Sequence, residues 1–276
     1  MEHLARRAIM TIRENYHEPL ALDDLARSVM MSKFYFLRVF QRTTGVTPGR
    51  FLSAVRIQEA KCLLVHTQVN VADISARVGY SSPSTFSRRF TASVGLSPTQ
   101  YRRISRGDCE EFPRITPAPV TTGPLGSISG RAHVTGTTHS PLYVGAFDSP
   151  ILQGQPVAWN RLDGAGPFSL KKVPPGTWYL HAVTLDGRAS SAQCCGSPLL
   201  VGAVGPVEIG AGAHSRLDIT VRQEDWSRPP VLLALPGLGH RPTRPTGEDT
   251  TRPAGPEAGY RAPRRRTGAG SRLVGV

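Results

Sequence analysis

The chain repeats itself near its beginning. Asp24-Leu25-Ala26-Arg27-Ser28-Val29-Met30-Met31-Ser32 matches Asp73-Ile74-Ser75-Ala76-Arg77-Val78-Gly79-Tyr80-Ser81 at an offset of 49. Further on, Phe36, Arg38, Phe40, Gly45, Thr47, Pro48 and Phe51 match Phe86, Arg88, Phe90, Gly95, Ser97, Pro98 and Tyr101 at an offset of 50. Each copy reads as a short helix, a tight turn and a second helix, and the second copy carries one extra residue at its turn. Apolar residues recur at three- and four-residue spacing: Leu22, Leu25, Val29; then Phe36, Val39, Phe40; then Leu52, Val55, Leu63, Leu64. Asp23, Ser32, Thr47 with Pro48 behind it, and Asn70 are the expected helix starts. A helix from about 48 to about 66 joins the copies. Phe36, Phe40, Phe86 and Phe90, at i and i+4, are expected in the core, with Phe51 and Tyr101.

Two such units suit a duplex. A recognition helix fits the major groove, and two of them can read adjacent groove segments about one turn (~34 Å) apart. The charge agrees. Residues 1–106 hold sixteen Lys and Arg against seven Asp and Glu, while 107–226 hold eight against ten. Concentrated cations near phosphates release counterions. Net charge alone would also suit a membrane surface.

The second copy carries the most specific motif. Gly79-Tyr80-Ser81-Ser82-Pro83-Ser84-Thr85-Phe86-Ser87-Arg88-Arg89-Phe90 is followed by Gly95-Leu96-Ser97-Pro98 and Tyr101-Arg102. By these residues, positions 4–104 resemble the DNA-binding module of the AraC/XylS family. The resemblance implies a sequence-specific transcription regulator that binds double-stranded DNA and works with RNA polymerase. It implies base contacts from the start of each second helix: Lys33, Phe34, Leu37 and Arg38 in the first copy, Ser84, Thr85, Ser87 and Arg88 in the second. Arg38 and Arg88 share one repeat position, and an Arg can bind guanine O6 and N7 with two hydrogen bonds. Contact with phosphate alone is the other reading of both. Arg42, Arg89, Arg102 and Arg103 are the expected phosphate contacts, which set register without reading sequence. A solvated basic face is the alternative for each.

One position departs from the family. The first turn has Met30 where Gly is usual. Met does not adopt positive φ freely, so that turn is expected to be strained or differently shaped. Leu37 is apolar where polar residues are common. The first head would then read thymine methyls or contribute little.

The rest of the chain has another character. Pro113, Pro117 and Pro119 mark a linker over 107–124. Over 125–225, short β-type runs alternate with Gly/Pro turns, at 127–134, 142–147, 157–162, 168–173, 177–184, 199–204 and 215–221. This region resembles a transthyretin-like or carboxypeptidase-regulatory-like sandwich. Gly126-Ser127-Ile128-Ser129-Gly130 and Phe168-Ser169-Leu170 leading to Val173-Pro174-Pro175-Gly176-Thr177-Trp178 carry the likeness. A ligand-sensing or self-association role follows as an expectation for it. Residues 226–276, rich in Pro, Gly and Arg and including Arg264-Arg265-Arg266, read as a disordered tail. The fold class is therefore multidomain: an all-α double helix-turn-helix domain over 1–106, an all-β sandwich, and the tail.

Other chemistries find little support. Met1-Glu2-His3-Leu4 opens no leader-like apolar run and no stretch is long enough to span a membrane, so the expectation is a cytoplasmic protein. The cysteines at 62, 109, 194 and 195 lack zinc-ligand spacing. His133, His139, His181 and His214 show no metal pattern, and neither metal nor cofactor is expected. Cys194-Cys195 could serve as a thiol sensor only if exposed and of lowered pKa. Two alternatives stand beside the regulator. One is an architectural DNA binder of low sequence preference. The other is a methyl-accepting DNA-repair enzyme, whose Pro-Cys-His-Arg-like setting none of the four cysteines has. The chain is otherwise expected not to be an enzyme.

Overall fold

The computed structural model describes residues 2–107, 123–136, 140–184, 200–223 and 225–234. Among the described residues, seven helices come first: α1 (Glu2–Glu14), α2 (Leu22–Ser28), α3 (Lys33–Thr44), α4 (Pro48–His66), α5 (Val71–Arg77), α6 (Pro83–Val94) and α7 (Pro98–Ser105). The helix-turn-helix units are α2–α3 and α5–α6. The change of offset from 49 to 50 falls at the second turn, as the repeat predicts.

Four helix starts have local causes. Thr47 accepts a hydrogen bond from the Arg50 N–H, Asn70 from Asp73, Ser82 from Thr85 and Ser97 from Gln100. Each side chain satisfies a donor that has no partner inside its helix. Asp23 is not a cap. Helix α2 starts one residue earlier from Ala21, and the Asp23 carboxylate lies in the first turn, where it pairs with Lys33.

Helix α4 runs through the core common to both units. Pro48, Phe51, Ala54, Val55, Ile57, Ala60, Lys61 and Leu64 are all buried, and α4 packs against α1, α3, α5 and α7. A helix buried this widely keeps no continuous polar stripe. On one side Phe36, Phe40 and Phe51 stack edge-to-face, with ring centroids 5.6 Å apart in both pairs. On the other side Tyr80–Phe86 and Phe90–Tyr101 pack edge-to-face at 5.4 and 5.7 Å, and Phe86–Phe90 is tilted at 5.6 Å. The phenyl rings expected in the core are there, with Phe51 and Tyr101 at matching places.

The strands among the described residues are β1 (Gly126–Val134), β2 (Leu142–Phe147), β3 (Ala158–Leu162), β4 (Gly166–Val173), β5 (Gly176–Thr184), β6 (Leu200–Ile209), β7 (His214–Arg216) and β8 (Ile219–Gln223). They run in the order β3-β2-β5-β6-β8-β1-β4, with β7 beside β1. Pairing is antiparallel except where β7 and β8 meet β1. The two ends approach each other: the Asn160 side-chain N–H on β3 donates to the Ser169 carbonyl on β4, at 3.3 Å. The path is thus nearly closed around Ile128, Leu142, Leu170, Leu180 and Ile219. The single run expected over 215–221 is two strands. Asp218 breaks it by accepting from the Arg131 backbone N–H at 2.8 Å.

The tail expected from 226 does not begin there. Leu232 and Leu233 are buried, and their N–H groups both point at the Leu152 carbonyl, at 3.0 and 3.2 Å. Ala234 N–H donates to Val94 O at 3.1 Å, and Lys61 Nζ to Val231 O at 3.1 Å. Arg6 lies over the Trp226 ring. The apolar side chains of 226–234 find both the helical core and a small core of Tyr143, Phe147 and Val183. Residues 108–122 of the expected linker, His139, Cys109, Cys194, Cys195 and Arg264-Arg265-Arg266 lie outside the described residues.

His181 is a buried titratable group of the β region. His181 on β5 donates from Nε2 to the Ser149 carbonyl at 2.9 Å and lies edge-on to Phe147. Burial holds its pKa down at about 4 against an ordinary 6.5, and the positive charge of Arg228 pushes the same way. The folded state therefore requires a neutral ring that the unfolded chain protonates. Its contribution is whole above pH 6.5 and falls as pH drops toward 4, by about 1.4 kcal/mol per unit of displaced pKa. We expect chemical denaturation at pH 4.5 and pH 7 to show this slope in the native chain and a flatter one in His181→Gln. Equal slopes would contradict the assignment.

Candidate nucleic-acid interface

The two turns are built alike. In the first, the N–H groups of Met30 and Met31 reach Arg27 O and Ala26 O, both at 3.0 Å; in the second, those of Gly79 and Tyr80 reach Ala76 O and Ser75 O, again both at 3.0 Å. Met30 has φ +54° and Gly79 φ +83°. Both helices thus end in a left-handed residue that lets the chain satisfy the last carbonyls. The first turn keeps the shape of the second, and the strain expected of Met30 is present as positive φ in an L-residue. Met30 accommodates it because its side chain points outward, 89% exposed. Gly79 has no such freedom: a Cβ there would stand 2.7 Å from His17 O.

Beneath each unit an arginine ties the helices together. Arg56 donates to Tyr16 O (2.7 Å, from Nε) and Glu18 O (2.8 Å, from Nη2). Arg106 donates to Thr67 O (2.5 Å, from Nη2) and to the Gln68 side chain (2.8 Å, from Nη1). Arg106 stands 50 residues after Arg56, and Thr67 stands 49 after Glu18, so the clamp belongs to the repeat. The signal that could have found it is the same offset, carried past Tyr101. Burial lowers the Arg56 pKa, from a range high enough that the charge stays.

With the scaffold fixed, α3 and α6 present their outer faces. On α6, Ser84, Thr85 and Arg88 are exposed and Ser87 half-buried. Ser84 Oγ is 2.8 Å from the capping Ser82 hydroxyl. On α3, Lys33, Phe34 and Arg38 are exposed and Leu37 half-buried. Lys33 reaches Asp23 at 3.2 Å. Phe34 is 77% exposed, which a core role would not allow. The eight expected base-reading residues therefore fall into two equivalent patches. Residue 35 was missed: the offset of 50 carries Thr85 onto Tyr35, and Arg38 lies over its ring at 5.8 Å.

The four expected phosphate contacts divide. Arg42 and Arg103 are exposed. Arg89, on the edge of α6, is exposed and bonded to Ser53 Oγ of α4 at 3.2 Å. Arg102 turns inward, donating to Leu64 O and Val69 O at 3.2 and 2.5 Å. Its guanidinium closes the end of α4, and burial with neighbouring Arg106 lowers its pKa. The histidines are not gathered: His133 pairs with Asp218, His214 bridges Ser127 and Ser129, and His181 is buried alone of the three. Among the described residues no helix is long and apolar enough to cross a membrane.

A helix-turn-helix domain family matches residues 25–104. The lactose operon transcription activator of Staphylococcus xylosus is 34% identical over 95 residues, which make up 34% of this chain and 34% of that protein. The TetD protein of transposon Tn10 from Escherichia coli is 33% identical over 95 residues, 34% of this chain and 69% of that protein. Among solved structures, the DNA-binding domain of AdpA in complex with a target DNA is 28% identical, covering 39% of this chain and 97% of that one at a TM-score of 0.37. The chain spans about a third of the length of the operon regulators it matches.

The strain at Met30 yields a stability test. Met30→Gly should raise unfolding free energy by about 0.5–1 kcal/mol, the relief of left-handed strain less the added freedom of the unfolded chain. Gly79→Ala should lower it by about 2 kcal/mol or more, since it adds both strain and a clash. Denaturant titration measures both. A neutral or destabilising Met30→Gly would contradict the strained turn.

Proposed function

The chain belongs to the AraC/XylS family by its helical domain, and from that membership we propose a sequence-specific DNA-binding transcription regulator. Helices α3 and α6 read adjacent major-groove segments. The observation that carries this reading is the pair of matched, outward-facing patches on one shared scaffold. A fold that needed only non-specific affinity has no use for Arg38 and Arg88 at one repeat position, each exposed beside a ring-packed core.

Within this reading, Arg88 contacts a base pair directly, with Ser84, Thr85 and Ser87 around it. Arg38 does the same on α3, and Tyr35 holds its guanidinium in place. Phe34 and Leu37 suit thymine methyl groups. Arg42, Arg89 and Arg103 hold phosphates, and Arg102 serves the scaffold instead. We take 1–106 as the DNA-binding domain, 107–124 as the linker and 125–225 as a β-sandwich for ligand sensing or self-association. RNA polymerase is the partner through which regulation would act, in the cytoplasm of a bacterium, and we read no enzymatic activity into the chain.

The test is selection of bound sequences from a random DNA pool by the full chain at physiological salt. We expect an enriched motif of two blocks about one helical turn apart. Arg88→Ala should relax one position of the block read by α6, at about 1–3 kcal/mol of lost discrimination. A single block would mean that the first head does not read sequence. No enrichment would overturn the proposal and favour an architectural binder, whose affinity salt would dominate.

A further inference from the structure

Helix α6 packs against α5 and α7, and α4 packs against those same two helices. Between α4 and α6 themselves runs a cleft of about 520 Å³. Leu52, Ser53 and Arg56 stand on its α4 wall, and Thr85, Arg88 and Arg89 on its α6 wall. Arg89 Nε donates to Ser53 Oγ at 3.2 Å, an exposed bond. Side chains fix the angle between two helices where they fill the space between them. An open flank leaves the tilt of α6 against α4 to be set at its ends.

The far end of α6 is held from the β region, by residues 149–155 between β2 and β3. Gly154 N–H donates to Ser93 O at 2.7 Å. That carbonyl is among the last of the helix and has no partner within it. Gly154 has φ +71°, and a Cβ there would stand 3.3 Å from Ala92 O, so glycine permits the approach. The Gln155 amide lies beside Gly95, which caps α6. The other end of the same segment meets the junction of α3 and α4. Ser149 Oγ accepts from Arg50 Nη2 at 3.2 Å, in the first turn of α4. Between these ends Ile151 is buried among the residues of the helical core. The segment therefore spans from the junction behind one reading helix to the end of the other.

We propose that residues 149–155 are a positioning element, a brace from the β region that sets the tilt of α6 relative to α3. Ile151 anchors the brace in the helical core, and Gly154 delivers it to α6. Its residues act through the two helices and read no base. The β region thereby sets the spacing at which two blocks of DNA can be read together. That last step rests on the DNA-reading proposal above, whereas the tilt itself does not.

The experiment measures the distance between the two heads in the full chain without DNA. Nitroxides are coupled to azidophenylalanine introduced at positions 34 and 84, both exposed and near the starts of α3 and α6, which leaves the native cysteines unlabelled. Pulsed dipolar spectroscopy should give a narrow distance distribution in the otherwise native chain. Gly154→Val should widen it about twofold or more, and the milder Ile151→Ala should widen it less. Circular dichroism melts confirm that the variants fold. Unchanged widths in both variants would overturn the brace. The unlabelled chains are then compared on the selected site and on one with an extra base pair, ~3.4 Å, between the blocks. The native chain should lose about tenfold in affinity and Gly154→Val about threefold or less, with the preferred sequence of each block unchanged. A variant that merely folds less well would bind both sites more weakly in the same ratio, and an unchanged ratio would overturn the control of spacing. A native chain that selects no sequence would overturn the DNA-reading proposal alone, because the distances still decide on the brace.

Discussion

Helix α4 runs through one continuous core that reaches both helix-turn-helix units. Phe51, near its start, closes the ring stack of the first unit, and Leu64, at its other end, is buried in the same core. A helix in this position cannot rotate to improve its packing at one end without exposing part of the other. Burial at about 25 cal/mol per Å2 of apolar surface makes either exposure expensive. The relative placement of α3 and α6 follows from that constraint. The guanidinium clamps act at its two ends: Arg56 holds the chain leaving α1, and Arg102 and Arg106 hold the chain leaving α4. Apart from the Arg106 bond to the Gln68 side chain, their bonds go to backbone carbonyls, so they fix the path of the chain.

The β region bears on the same helices. Gly154 N–H donates to Ser93 O at 2.7 Å and Ala234 N–H to Val94 O at 3.1 Å, both at the end of α6. Arg50 of α4 reaches Ser149 Oγ at 3.2 Å, and Lys61 of α4 reaches Val231 O. Lys61 is buried, over the Tyr101 ring, with its ammonium turned to that carbonyl. A lysine on a DNA-binding helix would ordinarily be read as a phosphate ligand; here the strap formed by 225–234 uses it. These contacts tie the β region to α4 and to the end of α6.

How much of this was legible beforehand depended on whether a pattern or a direction was needed. The repeat, the two ring stacks and most of the strands rest on spacing, and spacing is what a sequence displays. Direction is harder. Arg102 and Arg103 are neighbours of one type, and only the turn of α7 decides that one faces Leu64 O and the other solvent. The clamps of Arg56 and Arg106 leave no trace in composition, because their carbonyl partners lie 38 to 42 residues away. The strap was misjudged for another reason. Pro229-Pro230 and the arginines beyond it resemble a disordered tail, and the cluster of Trp226, Val231, Leu232 and Leu233 among them was the signal that it packs. The long run over 215–221 split because of one carboxylate, Asp218, whose partner lies on another strand.

In the proposed function, one rigid scaffold fixes the spacing of the two reading helices. The direct measurement is the affinity of the full chain for its selected site, compared with versions carrying five or ten extra base pairs between the two blocks. The account predicts that five, which turn the second block to the far face of the duplex, reduce binding to the non-specific level, and that ten do the same because the heads cannot separate by a further ~34 Å. Retention of specific affinity across either insertion would contradict a fixed scaffold and mean that the two heads move independently.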